Sequence, residues 1–112
     1  MTVLDQLDQV LEARKSQDPD ESYVASLYAA GLNKILEKVG EEATEAIIAA
    51  KDAQAQSSVD NKRAVAAEVA DVWFHTLVAL HHLDLDSTDV LNVLQDRFGI
   101  GGLEEKAGRT KK

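Results

Sequence analysis

Pro19 is the only proline in this chain, so few residues can interrupt a helix once one has started. Proline is the strongest helix breaker, at about 3 kcal/mol in a helix interior. Downstream of Pro19 only glycines and short polar connections remain to end an element. Alanine is plentiful and aromatic residues make up 4% of the chain, which favours helices over a sheet. The 112 residues predict one all-α domain over 1–98, followed by a flexible tail, 99–112, that contains glycine and lysine. A chain of this length buries a modest core and gains from oligomerisation.

Four helical stretches can be drawn. The first runs from about Val3 to Lys15, with Thr2 and Asp5 at capping-box spacing and Val3, Leu4, Leu7, Val10 and Leu11 on one face. "SQDPDES" breaks it, with Pro19 placed near the next helix start. A second stretch covers Ser22 to Ala53, long enough to predict two helices in tandem with a bend at Gly31. "DAQAQSSVD" connects to a third helix from about Val59 to Leu83, for which Ser57 and Asp60 form a capping-box pattern. "DLDSTD" opens a shorter helix through about Phe98. The expected fold is a four- to five-helix bundle around an antiparallel hairpin of the long helices.

Charge and composition narrow the chemistry. Twenty Asp and Glu against 12 Lys and Arg give a formal charge of −8, which repels phosphate backbones and argues against DNA or RNA as partner. A small phosphorylated ligand remains compatible if divalent ions bridge it to the acids. No cysteine is present, which removes thiol chemistry and suits a reducing cytoplasm. The N-terminal "MTVLDQLDQVLEARK" has early acids and no apolar core, so no secretory signal is expected, and no stretch is apolar enough to predict a membrane span.

The acids are the informative feature. In "KILEKVGEEATEAIIAAK", Glu42 and Glu45 lie roughly 60° apart on one helix face at about 100° per residue. In "AVAAEVADVWFHTLVAL", Glu68 and Asp71 sit among alanine, valine and tryptophan, where a charge needs compensation. If the long helices fold back near Ser57, both acid pairs lie about 13 residues from the turn, or about 20 Å along each helix. Four carboxylates at one level repel one another unless a cation joins them, and all-oxygen ligands point to Mg²⁺, with Mn²⁺ as substitute. Taken alone, "GEEATE" also fits a solvated face with Lys38 as an ion-pair partner.

The other candidates divide between chemistry and structure. A di-iron bundle needs Glu-x-x-His, and none of His75, His81 or His82 has Glu three residues before it. His75 falls on the Asp71 stripe, facing substrate or buried and satisfied by hydrogen bonds. His81 and His82 are expected on the surface, balancing a helix C-terminus. Trp73 and Phe74 read as core, and Gly40 as a point of close helix approach. Gly99, Gly101 and Gly102 are candidates for a phosphate loop, beside the basic residues Lys106, Arg109, Lys111 and Lys112.

Taken together, "EEATE" and "EVAD" resemble the acidic signature of the MazG-like all-α nucleoside triphosphate pyrophosphatases. "SYVASLYAAGLNKILEKVGEEATEAIIAAK", "EVADVWFHTLVAL" and "GLEEKAGR" are similar, within that group, to the phosphoribosyl-ATP pyrophosphatase family of histidine biosynthesis. The likeness spans Val3 to Arg109. It departs at "WFH", where the family often has an aliphatic-Tyr-His run, and at "KAGR", where "KASR" is common. The resemblance implies hydrolysis of the α–β phosphoanhydride of phosphoribosyl-ATP, Mg²⁺ held by Glu42, Glu45, Glu68 and Asp71, and a homodimer whose helices complete each other's bundle. Glu41 is the neighbouring acid of the motif, and Glu41 or Glu45 would be the general base. Lys34 and Lys38 would meet pyrophosphate or simply balance the acids. Ser22 and Tyr23 match the pattern as substrate contacts, with N-capping and core packing as the competing account, and Lys106 and Arg109 would close the tail over substrate. Two other readings stand beside this one: a house-cleaning pyrophosphatase acting on dUTP or damaged nucleotides, and a non-catalytic helical dimerisation module.

Overall fold

The computed structural model describes residues 1–99, which form five α-helices and no strand. Helix α1 spans Val3–Ala13 and is followed by a 3-10 turn at Arg14–Ser16. Helix α2 spans Tyr23–Ala30, α3 Leu32–Ala55, α4 Val59–His82 and α5 Ser87–Phe98. No helix among the described residues is long and apolar enough to cross a membrane.

Local chemistry sets most of these boundaries. Thr2 and Asp5 close the expected capping box on α1. The helix tightens into 3-10 geometry at Arg14 rather than continuing to Lys15. Pro19 is not at a helix start. It follows Asp18, whose carbonyl accepts from the amides of Glu21 and Ser22, so it occupies the second position of a turn, where its fixed φ fits. Gly31 separates α2 from α3 at φ 100° and ψ 174°, a backbone region open in practice only to glycine. The cap of α4 is Ser58, not Ser57, with its Oγ accepting from the Asn61 amide at 3.0 Å. Asp84, at φ 62°, ends α4: the amides of Asp84 and Leu85 return to the carbonyls of His81 and Leu80.

Helices α3 and α4 pack along their length as a hairpin closed by Gln56–Ser58, in the expected register. The buried apolar core lies at the end away from that turn. Leu11, Val24, Leu27, Ile35, Leu77, Val78 and Ala79 form it, with Leu4, Leu7, Tyr28, Leu32, Phe74 and Leu80 packed around. Beyond Glu42 on α3 and before His75 on α4 no residue is fully buried, so the outer half of the hairpin is a two-helix arm.

Several expected core positions lie outside the core. The core stripe of α4 is Phe74, Leu77, Val78 and His81, and Trp73 falls one step off it, leaving it 60% exposed. Val3 and Val10 similarly flank the Leu4–Leu7–Leu11 stripe of α1 and stay exposed. Among the described residues no other element comes within 4 Å of a side chain built at Gly40, so no described helix makes a close approach there.

Candidate active site

The hairpin register brings the two acidic motifs together. Glu42, Glu68 and Asp71 each place one carboxylate oxygen so that all three lie within 4.8 Å of one another. Glu42 is buried, Glu68 half-buried and Asp71 exposed, so the cluster opens to solvent from a closed inner wall. It sits where the packed core gives way to the two-helix arm. The fourth expected ligand, Glu45, is not within that triad. One turn further along α3, it lines with Glu68 a cleft of about 250 Å³ whose walls include Ile48, Ala49, Asp52, Asn61 and Ala64.

The electrostatics match three acids with too little compensation. Burial pushes the Glu42 carboxyl above its ordinary range, and the charges of Glu45 and Asp71 push it further. Glu68 is raised in the same way, by burial first and then by Glu45, Asp71 and Glu42. Among the described residues Lys38 is the cation paired with Glu42, at 3.9 Å, and it lies closer to Glu41, at 3.2 Å. The hydrogen bond from Lys38 holds Glu41 below the usual carboxylate range. A hard divalent ion fits this donor set: the ligands are all carboxylate oxygens, with no imidazole or thiolate among them, and their mutual repulsion is what a dication would relieve.

The remaining candidates divide. Lys34, about two turns before Glu42 on α3, pairs with Glu37 at 3.2 Å, both groups about half exposed. Ser22 caps α2, its Oγ accepting from the Ala25 amide at 3.1 Å. Tyr23 is 53% exposed, so core packing does not describe it, and its hydroxyl lies 2.8 Å from His75 Nε2. His75 is buried, with Nδ1 2.8 Å from the Asp71 carbonyl oxygen. Lys106 and Arg109, like Gly101, Gly102, Lys111 and Lys112, lie outside the described residues.

A second polar cluster, in which both Asp8 and Glu12 have hydrogen-bonding partners, was missed by sequence reasoning. His81 is 3% exposed rather than on the surface. Its Nε2 lies 2.9 Å from Asp8 and its Nδ1 2.9 Å from Glu12. Asp8 also accepts from the Ser87 amide and hydroxyl, so α1, α4 and α5 meet at this point. The available signal was phase: His81 continues the Phe74–Leu77–Val78 stripe, and Asp8 and Glu12 are four apart on α1. His82, half-buried, stacks on Tyr28 instead, with ring centroids 6.1 Å apart.

Comparison with known proteins bears on the same residues. Residues 4–98 match the model of the phosphoribosyl-ATP pyrophosphohydrolase family. A phosphoribosyl-ATP pyrophosphatase from Hydrogenovibrio crunogenus is 59% identical over 109 residues, covering 97% of this chain and 94% of its own. Proteins of the same name from Ralstonia nicotianae and Methylococcus capsulatus are 53% and 52% identical, covering 95% and 97% of this chain and 89% and 97% of their own.

Proposed function

The chain belongs to the phosphoribosyl-ATP pyrophosphohydrolase family, and from that premise we propose that its acidic cluster is a Mg²⁺-dependent hydrolytic site. The chain is a hydrolase of histidine biosynthesis that converts phosphoribosyl-ATP to phosphoribosyl-AMP and pyrophosphate. The observation that carries the site assignment is the convergence of Glu42, Glu68 and Asp71 from two helices on one point, with raised carboxyl pKa values at Glu42 and Glu68.

Glu42, Glu68 and Asp71 would hold the ion, with Glu45 beside Glu68. When bound, Mg²⁺ supplies positive charge that neutralises phosphate oxygens and eases the ionisation of water. Water adds across the α–β anhydride, its proton passes to a carboxylate, and the bridging P–O bond breaks to release pyrophosphate. Glu45 is the better base of the two candidates. Glu41 is tied to Lys38 at 3.2 Å, which stabilises its ionised form and weakens it as a proton acceptor. Lys38 stands at the rim as a point charge for the departing pyrophosphate.

A second copy of the chain would cover the apolar surface that one copy leaves open. Trp73, Val90, Leu91 and Leu94 are exposed along a groove of about 330 Å³ between α4 and α5, and Ile47 and Ile48 are exposed on the arm. Contiguous apolar exposure of this kind marks an interface.

The deciding assay is pyrophosphate release with phosphoribosyl-ATP, ATP and dUTP, with and without Mg²⁺. Turnover is expected with phosphoribosyl-ATP and Mg²⁺, lost with chelator, and reduced about 100-fold or more in Glu68→Gln. Preference for dUTP would move the chain to house-cleaning chemistry, and full activity in Glu68→Gln would remove the cluster from the reaction.

A further inference from the structure

On the arm side of the acidic cluster, the cleft of about 250 Å³ continues between α3 and α4 beyond Glu45 and Glu68. Ile48, Ala49 and Ala64 give it apolar walls, and Asp52 and Asn61 supply its other polar groups. Pockets that take a whole small molecule start at about 300 Å³, so this one suits a single ring system rather than an entire substrate. Among the described residues no lysine or arginine lines it. Lys38 and Lys34 stand on the opposite side of the cluster, toward the start of α3. That asymmetry orients a nucleotide, with its pyrophosphate over the lysines and its base over the arm. Asp52 is two turns beyond Glu45, about 11 Å along the helix, a distance that a ribose and a base can span.

The fold does not account for Asp52. Its side chain is exposed, and among the described residues nothing pairs with its carboxylate. It lies in the last turn of α3, where the helix end carries partial negative charge and an acid is disfavoured. Asn61, by contrast, serves the hairpin: its amide nitrogen donates to the Gln56 carbonyl at 2.9 Å.

The base of phosphoribosyl-ATP differs from that of ATP in charge. Its adenine carries a ribosyl carbon on N1. Adenine alkylated at that nitrogen is a delocalised cation near neutral pH, and its amino hydrogens carry part of the charge. The adenine of ATP is neutral.

Resting on the reading of the acidic cluster as the hydrolytic site, we propose that the arm cleft seats the N1-substituted adenine of the substrate and that Asp52 determines specificity by accepting a charge-assisted hydrogen bond from its amino group. Ile48, Ala49 and Ala64 pack against the ring. ATP keeps that apolar contact and loses the ion pair. The pyrimidine of dUTP presents a carbonyl oxygen in place of the amino group, which a carboxylate repels. The base takes no part in the bond change, so the pairing is equal in substrate and transition state and acts on KM rather than kcat.

Asp52→Asn keeps the shape and removes the charge from an exposed side chain, so its Tm should not fall. Its KM for phosphoribosyl-ATP is expected to rise about fivefold or more, the effect of one exposed ion pair, with kcat changed less than about twofold. Calorimetric titration with AMP, 1-methyl-AMP and 1-methyl-IMP in Mg²⁺ buffer separates charge from shape. 1-Methyl-AMP has the cationic base, and 1-methyl-IMP has the same methyl group on a neutral one. Wild type should bind 1-methyl-AMP about fivefold or more tighter than either of the others, and Asp52→Asn should bind all three within about twofold of one another. An unchanged KM in Asp52→Asn, equal wild-type binding of 1-methyl-AMP and 1-methyl-IMP, or a preference that survives in the variant would each overturn the proposal. If no monophosphate binds, the KM comparison decides the matter. A wild-type protein inactive on phosphoribosyl-ATP overturns the hydrolytic reading and this proposal with it, whereas turnover with an unaffected Asp52→Asn overturns this proposal alone.

Discussion

Glu42 carries the tension of the site at the scale of one side chain. It is the buried member of the triad, raised by burial and by Glu45 and Asp71, with Lys38 at 3.9 Å as a partial counterweight. A residue kept for folding would gain from that charge, and this one does not. Glu42→Gln is therefore expected to raise Tm in metal-free buffer, because a neutral amide of the same shape ends the repulsion. Mg²⁺ should raise Tm of the wild type, with about 2.7 kcal/mol of stabilisation at an ion concentration 100 times Kd, and leave Glu42→Gln almost unmoved. Differential scanning calorimetry with and without Mg²⁺ tests both halves, and a destabilised metal-free variant would mean that Glu42 serves packing. The acid pairs were legible in the sequence from their spacing on each helix and their equal distance from the turn, once the long helices were taken to fold back on each other. Trp73 and His81 were not, because large apolar residues read as core and histidines near a helix end read as surface. One step of helical phase decides both: Trp73 lies off the Phe74–Leu77–Val78 stripe, and His81 continues it.

Beside the apolar core, a polar cluster around His81 joins α1, α4 and α5. Asp8 from α1 accepts from Ser87 at the start of α5 and lies 2.9 Å from His81 Nε2 on α4, and Glu12 lies 2.9 Å from Nδ1. Lys15 adds an ion pair to Glu12 and another to Asp84 at the end of α4, both at 3.2 Å. Burial alone would raise Asp8, but the hydrogen bonds from Ser87 and His81 outweigh it and leave its pKa below the ordinary 3.8. The His81 hydrogen bond, with Lys15, likewise holds Glu12 below 4.5. Both carboxyls thus bind protons more tightly in the unfolded chain, so their contribution is complete above about pH 5 and is lost as acidification passes 4.5 and 3.8 into the lowered folded values. Stability followed by urea unfolding from pH 7 to pH 3 is expected to fall over that window, and to fall less in Asp8→Asn. At neutral pH Asp8→Asn should cost about 1–3 kcal/mol, since an amide cannot accept from all of the partners of a carboxylate. An unchanged pH profile in the variant would show that other carboxyls dominate. Element boundaries were readable from local chemistry at Thr2, Gly31 and Asp86, where the cap or the positive φ is written in the residue type. The junction at His81 joins positions more than 60 residues apart, with |i−j| of 69 and 73, and nothing local encodes it.

At the scale of the whole molecule, the described residues are more extended than a chain of their length requires. The radius of gyration is 16.9 Å, against roughly 13 Å for a chain of about 100 residues folded as a compact domain. The excess is the two-helix arm, which has no third layer among the described residues and leaves Ile47, Ile48, Val59 and Val69 exposed. Two helices facing water on both sides bury too little to be stable alone, and the alanines between them add little area. The acidic cluster stands at the base of this arm, so whatever stabilises the arm also fixes the distance between Glu42 and Glu68. A second copy seated on the Trp73–Leu91–Leu94 groove would do so, and Trp73 is the residue with most area to contribute, on the order of 200 Å². Trp73→Glu places a charge at the centre of that surface without touching the core, since Trp73 is 60% exposed in one copy. Sedimentation is expected to give a dimer for the wild type and a monomer for the variant, and Tm should rise with protein concentration in the wild type alone. Mg²⁺-dependent stabilisation should weaken with it, because an arm free to splay separates the two helices that bear the carboxylates. A dimeric Trp73→Glu would move the interface to another face, and a wild type that sediments as a monomer would leave the arm to be held by the substrate itself.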